Sequence, residues 1–248
     1  MHTRARMATA VAFGLAAFVV SAAPAVAQVS APFCYGFEAT LWGTEGQDQL
    51  NGTGNRDVIV GLGGNDTILG NGGDDVICGS AGDDTIGGGD GADKIAGNTG
   101  DDTIRGGTGE DQIEGFQGDD TLAGNGSDDR LEGGDGNDFT IDWGNDVLNG
   151  GAGSDLMRGS AGDDTIDGGT GEADNVGSDR LEGFAGADTL TESLGRNVLD
   201  GGAGNDTLLA RDNVVLSPPD DQVNGRAGTD RCQVDVSDTA LSCEVFLP

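Results

Sequence analysis

The sequence predicts an all-β chain: a right-handed parallel β-roll (a β-solenoid) built of nine-residue units, two units or 18 residues to a coil. Three observations predict it. An aspartate returns every nine residues without a slip from Asp48 to Asp138, through Asp57, Asp66, Asp75, Asp84, Asp93, Asp102, Asp111, Asp120 and Asp129. A large apolar residue stands two places after nearly every one, as at Ile59, Ile68, Ile77 and Ile86. A glycine stands two places before most of them, as at Gly64, Gly73 and Gly82. Self-similarity at a fixed period decides architecture before local propensity does.

Composition alone would point elsewhere. The chain has 248 residues, 48 of them glycine, with 4% aromatic residues and a formal charge of -32. Glycine and net charge of that order read as disorder. The period overrides that reading, because it spreads a small apolar supply evenly, as a solenoid needs. Within a unit the first six positions, rich in Gly, Asn and Asp, suit tight turns with positive φ. The last three, as in Thr67-Ile-Leu69, carry β-favouring residues around one inward side chain. Turn, strand, turn, strand closes one coil.

The clearest units are Gly88-Gly-Asp-Gly-Ala-Asp-Lys-Ile-Ala96, Gly106-Gly-Thr-Gly-Glu-Asp-Gln-Ile-Glu114 and Gly201-Gly-Ala-Gly-Asn-Asp-Thr-Leu-Leu209. They match the nonapeptide G-G-x-G-x-D-x-U-x, with U a large apolar residue. Over residues 43–233 the chain therefore resembles the RTX family, the hemolysin-type calcium-binding repeats. That resemblance implies ions held between turns two units apart, by both aspartates and by turn carbonyls.

Taken in order, residues 1–27 read as a secretory signal. His2, Arg4 and Arg6 lead into the apolar run Ala8 to Val20, and Ala25-Val-Ala27 offers a cleavage site, with a cut after Ala23 as second choice. An uncleaved anchor is the alternative. Residues 28–42, with Phe33, Tyr35, Phe37 and Trp42, read as an N-terminal cap for the open end of a solenoid; an aromatic ligand platform is the alternative. Residues 43–209 form the roll. Its regularity falls after Asp138: the unit opening at Gly133 reads one residue short, and Thr140 takes the apolar slot. Register resumes at Asp146, Asp155 and Asp164, then at Asp179, Asp188 and Asp206 after about six extra residues near Gly168 to Ala173. Residues 210–233, with Pro218 and Pro219, read as a bulging loop and degenerate units at Asp221 and Asp230, and 234–248 as the C-terminal cap. Four cysteines in an exported chain suggest two of the possible disulfides. We favour Cys34 with Cys78 and Cys232 with Cys243, one staple at each fraying end; a metal-thiolate site lacks C-x-x-C spacing.

In such a roll alternate units share a side. Asp66, Asp84, Asp102 and Asp120 make one column, and Asp57, Asp75, Asp93, Asp111 and Asp129 the other, at a strand spacing of roughly 4.8 Å. Carboxylates that close repel by about 3–4 kcal/mol at an effective dielectric near 20. A cation between neighbours turns repulsion into attraction. Oxygen donors alone suit Ca2+ better than Mg2+ or softer metals. The expected ligands are Asp48, Asp57, Asp66, Asp75, Asp84, Asp93, Asp102, Asp111, Asp120, Asp129, Asp138, Asp146, Asp155, Asp164, Asp179, Asp188 and Asp206. The second acid of many units, as at Asp74, Asp83, Asp101, Asp119, Asp128 and Asp163, reads as mostly solvated, with outer-shell charge for the ion as its other role. Sites are expected to fail at Thr53 and Asn55, at Ser127, at the short unit and at Asn197.

The expected partner is thus multiple calcium ions. The acidity argues against nucleic acid and anionic membrane surfaces, and no membrane span is expected in the mature form. The single histidine, His2, lies within the signal, which argues against histidine-dependent catalysis and His-ligated zinc. The reading is a secreted, calcium-binding, non-enzymatic module folding on Ca2+, with a calcium-stiffened adhesin or matrix component as alternative. Two remoter readings are an ice-binding face along Thr67, Thr85, Thr103 and Thr121, and a carboxylate-based enzyme. The macromolecular partner stays unspecified.

Overall fold

The computed structural model describes residues 30–169, 178–192, 195–210, 221–234, 238–243 and 245–246. The expected signal, most of the inserted stretch near Gly168 to Ala173 and the break after Ala210 lie outside them. Successive strands alternate between two parallel sheets. One has 11 strands, from Gln49–Asn51 to Thr239–Leu241; the other has 12, from Leu41–Trp42 to Val245–Phe246. Strand pairs are offset by 18 residues in the regular region, as Ile86 pairs with Ile104 and Ile104 with Leu122. Among the described residues no helix is long and apolar enough to cross a membrane.

The apolar position of the units points inward, and these side chains stack in two files, one from each sheet, that meet in one core. Ile59, Ile68, Ile77, Ile95, Ile104, Ile113, Leu122, Leu131, Leu148 and Ile166 are all fully buried. Each such side chain contributes about 1.5–3 kcal/mol. Val223 and Cys232 of the degenerate units continue the files. Thr140 takes a slot there too, between Leu122 and Met157, with its hydroxyl buried and unpartnered.

Two features differ from the sequence reading. From Val58 to Asp135 every strand is six residues long rather than three. Thr103–Thr108 runs through Gly106 and Gly107 into the first three positions of the next unit. The ladder needs only backbone groups, so the low β propensity of glycine does not end it. The turn is confined to positions four to six. The missing residue also lies elsewhere. Ala123 still pairs with Ile141 at an offset of 18, whereas Arg130 pairs with Val147 at 17. The unit at Gly133 is complete, and the loss falls between Asp142 and Gly144.

The leader does two things. Leu41 packs against the core at its first end. The antiparallel pair Phe33–Cys34 and Phe37–Glu38 lies on the outside of the first coils, where Cys34 and Ala39 cluster with Val58, Val60 and Val76. The disulfide Cys34–Cys78 fastens it there, and Cys232–Cys243 joins the last coils. Lys94 lies 3.9 Å over the Tyr35 ring and Arg56 4.7 Å over Phe37, cation–π contacts that hold the same edge.

Candidate metal centre

Each unit delivers its aspartate at position six, just before the strand. There the backbone N–H of one aspartate donates to Oδ1 of the aspartate one coil on: Asp66 to Asp84 (2.8 Å), Asp84 to Asp102 (2.7 Å), Asp93 to Asp111 (2.8 Å). Two ladders result, one along each expected column. They pass without a break through the short coil, Asp129 to Asp146 at 2.9 Å, and through the longer ones, Asp155 to Asp179 at 2.8 Å and Asp164 to Asp188 at 2.9 Å. Asn197 fills one rung, accepting from Asp179 N–H and donating its own to Asp221.

The other oxygen is what makes this a site. Oδ2 of Asp66, Asp75, Asp84, Asp93, Asp102, Asp111, Asp120, Asp129, Asp138, Asp146, Asp155, Asp164, Asp188 and Asp206 is buried with no hydrogen-bond partner. Except at Asp146, whose unit opens on Asp142, it faces the first glycine of its own unit. A Cβ at Gly70 would collide with Asp75 Oδ2 and stand 2.5 Å from the carbonyl oxygen of Gly88 in the next coil. Two acceptors thus converge with no donor between them, which is costly unless something positive joins them. The donors are hard oxygens, carboxylate and carbonyl, as Ca2+ prefers. When bound, the ion would supply the charge these oxygens lack.

The electrostatics carry the same message. Burial is the largest cause pushing the column carboxyls up. The N–H from the neighbouring coil opposes it, and adjacent aspartates add to it. Asp84, Asp93 and Asp120 are raised to about 6, and Asp102, Asp111, Asp138 and Asp155 to about 7. Desolvated, crowded carboxylates hold a proton or a cation near neutral pH.

The expected ligands do not all share this geometry. Oδ2 of Asp48 accepts from the N–H (2.6 Å) and hydroxyl (2.8 Å) of Thr44, and Oδ2 of Asp57 from those of Thr53 (2.7 and 2.9 Å). Threonine at position two therefore satisfies the oxygen that elsewhere stays open. Asp179 is buried beside Glu192. Asp221 and Asp230 extend the two columns, accepting from Asn197 and Asp206. Two further acids escaped the sequence reading, Asp142 and Glu192, both buried. Their signal was an acid at position one, where the repeat has glycine. The second acids of the units are exposed and also bond to one another. Asp101 N–H donates to Asp83 and Asp119 N–H to Asp101, an outer ladder running opposite to the inner one.

These stacked acids and the roll that aligns them are mirrored in family comparison. The family model described as RTX calcium-binding nonapeptide repeat (4 copies) matches residues 40–59, 51–86, 87–122, 114–141, 140–172, 174–191 and 193–212. Comparison of the chain with curated proteins finds no match. The matched segments cover most of the chain and most of the roll, so the protein belongs to the family of RTX calcium-binding nonapeptide-repeat proteins.

Proposed function

We propose that this is a secreted calcium-binding β-roll whose folding is driven by Ca2+ held between its stacked turns, and that it is not an enzyme. One observation carries the reading: two columns of buried aspartates in which, from Asp66 to Asp164, one carboxylate oxygen joins a ladder and the other has no hydrogen-bond partner. A chain of formal charge -32 gains little from closing such columns on themselves. Neighbouring acids repel by about 3–4 kcal/mol, more than one buried isoleucine returns at about 1.5–3 kcal/mol. Metal binding and folding are then one event. The two disulfides fit an oxidising compartment, as expected of an exported chain.

The test is circular dichroism of the disulfide-intact chain in EGTA and in millimolar Ca2+, with bound calcium counted after gel filtration. The expected outcome is a largely unfolded chain in EGTA, β structure on adding Ca2+, and several ions retained per chain. A roll fully formed in EGTA that retains no calcium would overturn the reading.

A further inference from the structure

The short coil is where the sequence leads one to expect a lost site, and it holds an added acid instead. Asp142 stands at position one, the place of Gly124 one coil earlier. It is 1% exposed. Its Oδ1 accepts from Asn125 N–H (2.7 Å) and from its neighbour Trp143 N–H (2.8 Å), which fixes the carboxylate. Its Oδ2 has no partner. That oxygen and Asp129 Oδ2 crowd the same point over Gly124. In a regular coil, the second oxygen at that point is a backbone carbonyl: Gly133 O lies 2.5 Å from where a Cβ on Gly115 would stand. At the short coil a side-chain carboxyl oxygen occupies the carbonyl's place.

Asp146 completes the group. A carboxylate oxygen from each of Asp129, Asp142 and Asp146 lies within 4.8 Å of the others, and all three residues are buried. We infer that Asp129, Asp142 and Asp146 form a three-carboxylate cation site, distinct from the repeat sites because Asp142 supplies a charge where they supply a carbonyl. It rests on the reading of the columns as cation sites. Charge count and rigidity tune the affinity of oxygen-ligand sites for Ca2+, so this site fills before the regular ones and favours trivalent lanthanides further.

Trp143 makes the site separately readable. The chain has 2 tryptophans. Trp42 sits in the first coil, five coils or about 24 Å along the roll from the coil of Phe139–Ile141. In a W42F background, terbium emission sensitised by tryptophan reports on ions near Trp143 alone. The experiment titrates Tb3+ into W42F, W42F/D142N and W42F/D142G, with Ca2+ competition, β content by circular dichroism and total bound calcium measured on each. D142G restores the glycine of the repeat and removes a buried charge, so it keeps the fold accessible. The expected result is that both variants raise the Tb3+ concentration for half-maximal emission by about tenfold or more, while calcium retained elsewhere persists. Unchanged half-saturation in both variants, with calcium still retained, overturns the role of Asp142 alone; a proton shared between Asp129 and Asp142 would give that result. A chain that retains no calcium anywhere overturns the column reading as well.

Discussion

Gly97 shows how little freedom a single residue has in this roll. A Cβ there would collide with the Asp102 carboxylate and stand 3.0 Å from the carbonyl oxygen of Gly115. Its φ is ordinary, so what demands glycine is the space taken by the column acid, not backbone conformation. Gly54 is the contrast: its surroundings are open, with nothing within 4 Å of where a Cβ would stand. Gly97→Ala should therefore cost roughly 1–3 kcal/mol and raise the calcium needed for folding. Gly54→Ala should stay within about 0.5 kcal/mol of the parent. Calcium-dependent folding midpoints by circular dichroism check both, and equal midpoints would show that the acids do not press on position one. Other residue-scale facts lie beyond a consensus. Phe116 and Phe184 hold φ of 81° and 73° at position two, where bulky side chains are rare. Nothing in a nine-residue pattern announces that.

At the scale of elements, the period made the two columns and the alternation of sheets legible, because two units per coil turn a period of nine into an offset of 18. It left strand length hidden, since positions one to three look like turn and pair like strand. The seat of the leader hairpin was half legible. Val58, Val60 and Val76 are apolar at outward positions where later units carry residues such as Thr103 and Gln112. The mark was there, but its partner is set by tertiary packing. A hairpin of two-residue strands has no stability of its own, so the Cys34–Cys78 bond must hold it. Replacing both cysteines by serine should cost about 2–4 kcal/mol. It should expose amides in Val58–Gly63 and Val76–Ala81 to hydrogen exchange first, while calcium uptake by coils beyond them persists. Exchange rising equally along the whole roll would mean the hairpin is no separate unit.

Across the whole molecule the deciding quantity is charge against protons and ions. Asp102, Asp111, Asp138, Asp155 and Asp164 are raised to about 7, and Asp84, Asp93, Asp120, Asp146 and Asp188 to about 6, from an ordinary value of 3.8. Burial is the main cause in each. Because the folded values lie above the unfolded ones, the metal-free roll binds protons that the unfolded chain releases. That contribution is complete below about pH 4 and is lost as pH rises through about 6 to 7. Protons and calcium are thus two ways of relieving the same columns. In EGTA, lowering the pH from about 8 to about 5 should increase β structure. With calcium present, the same change should raise the concentration for half-maximal binding, because ligands must lose their protons first. Circular dichroism and calcium titrations across that range measure both limbs. If the metal-free β signal ignores pH while calcium still folds the chain, repulsion between stacked aspartates is not what keeps the roll open.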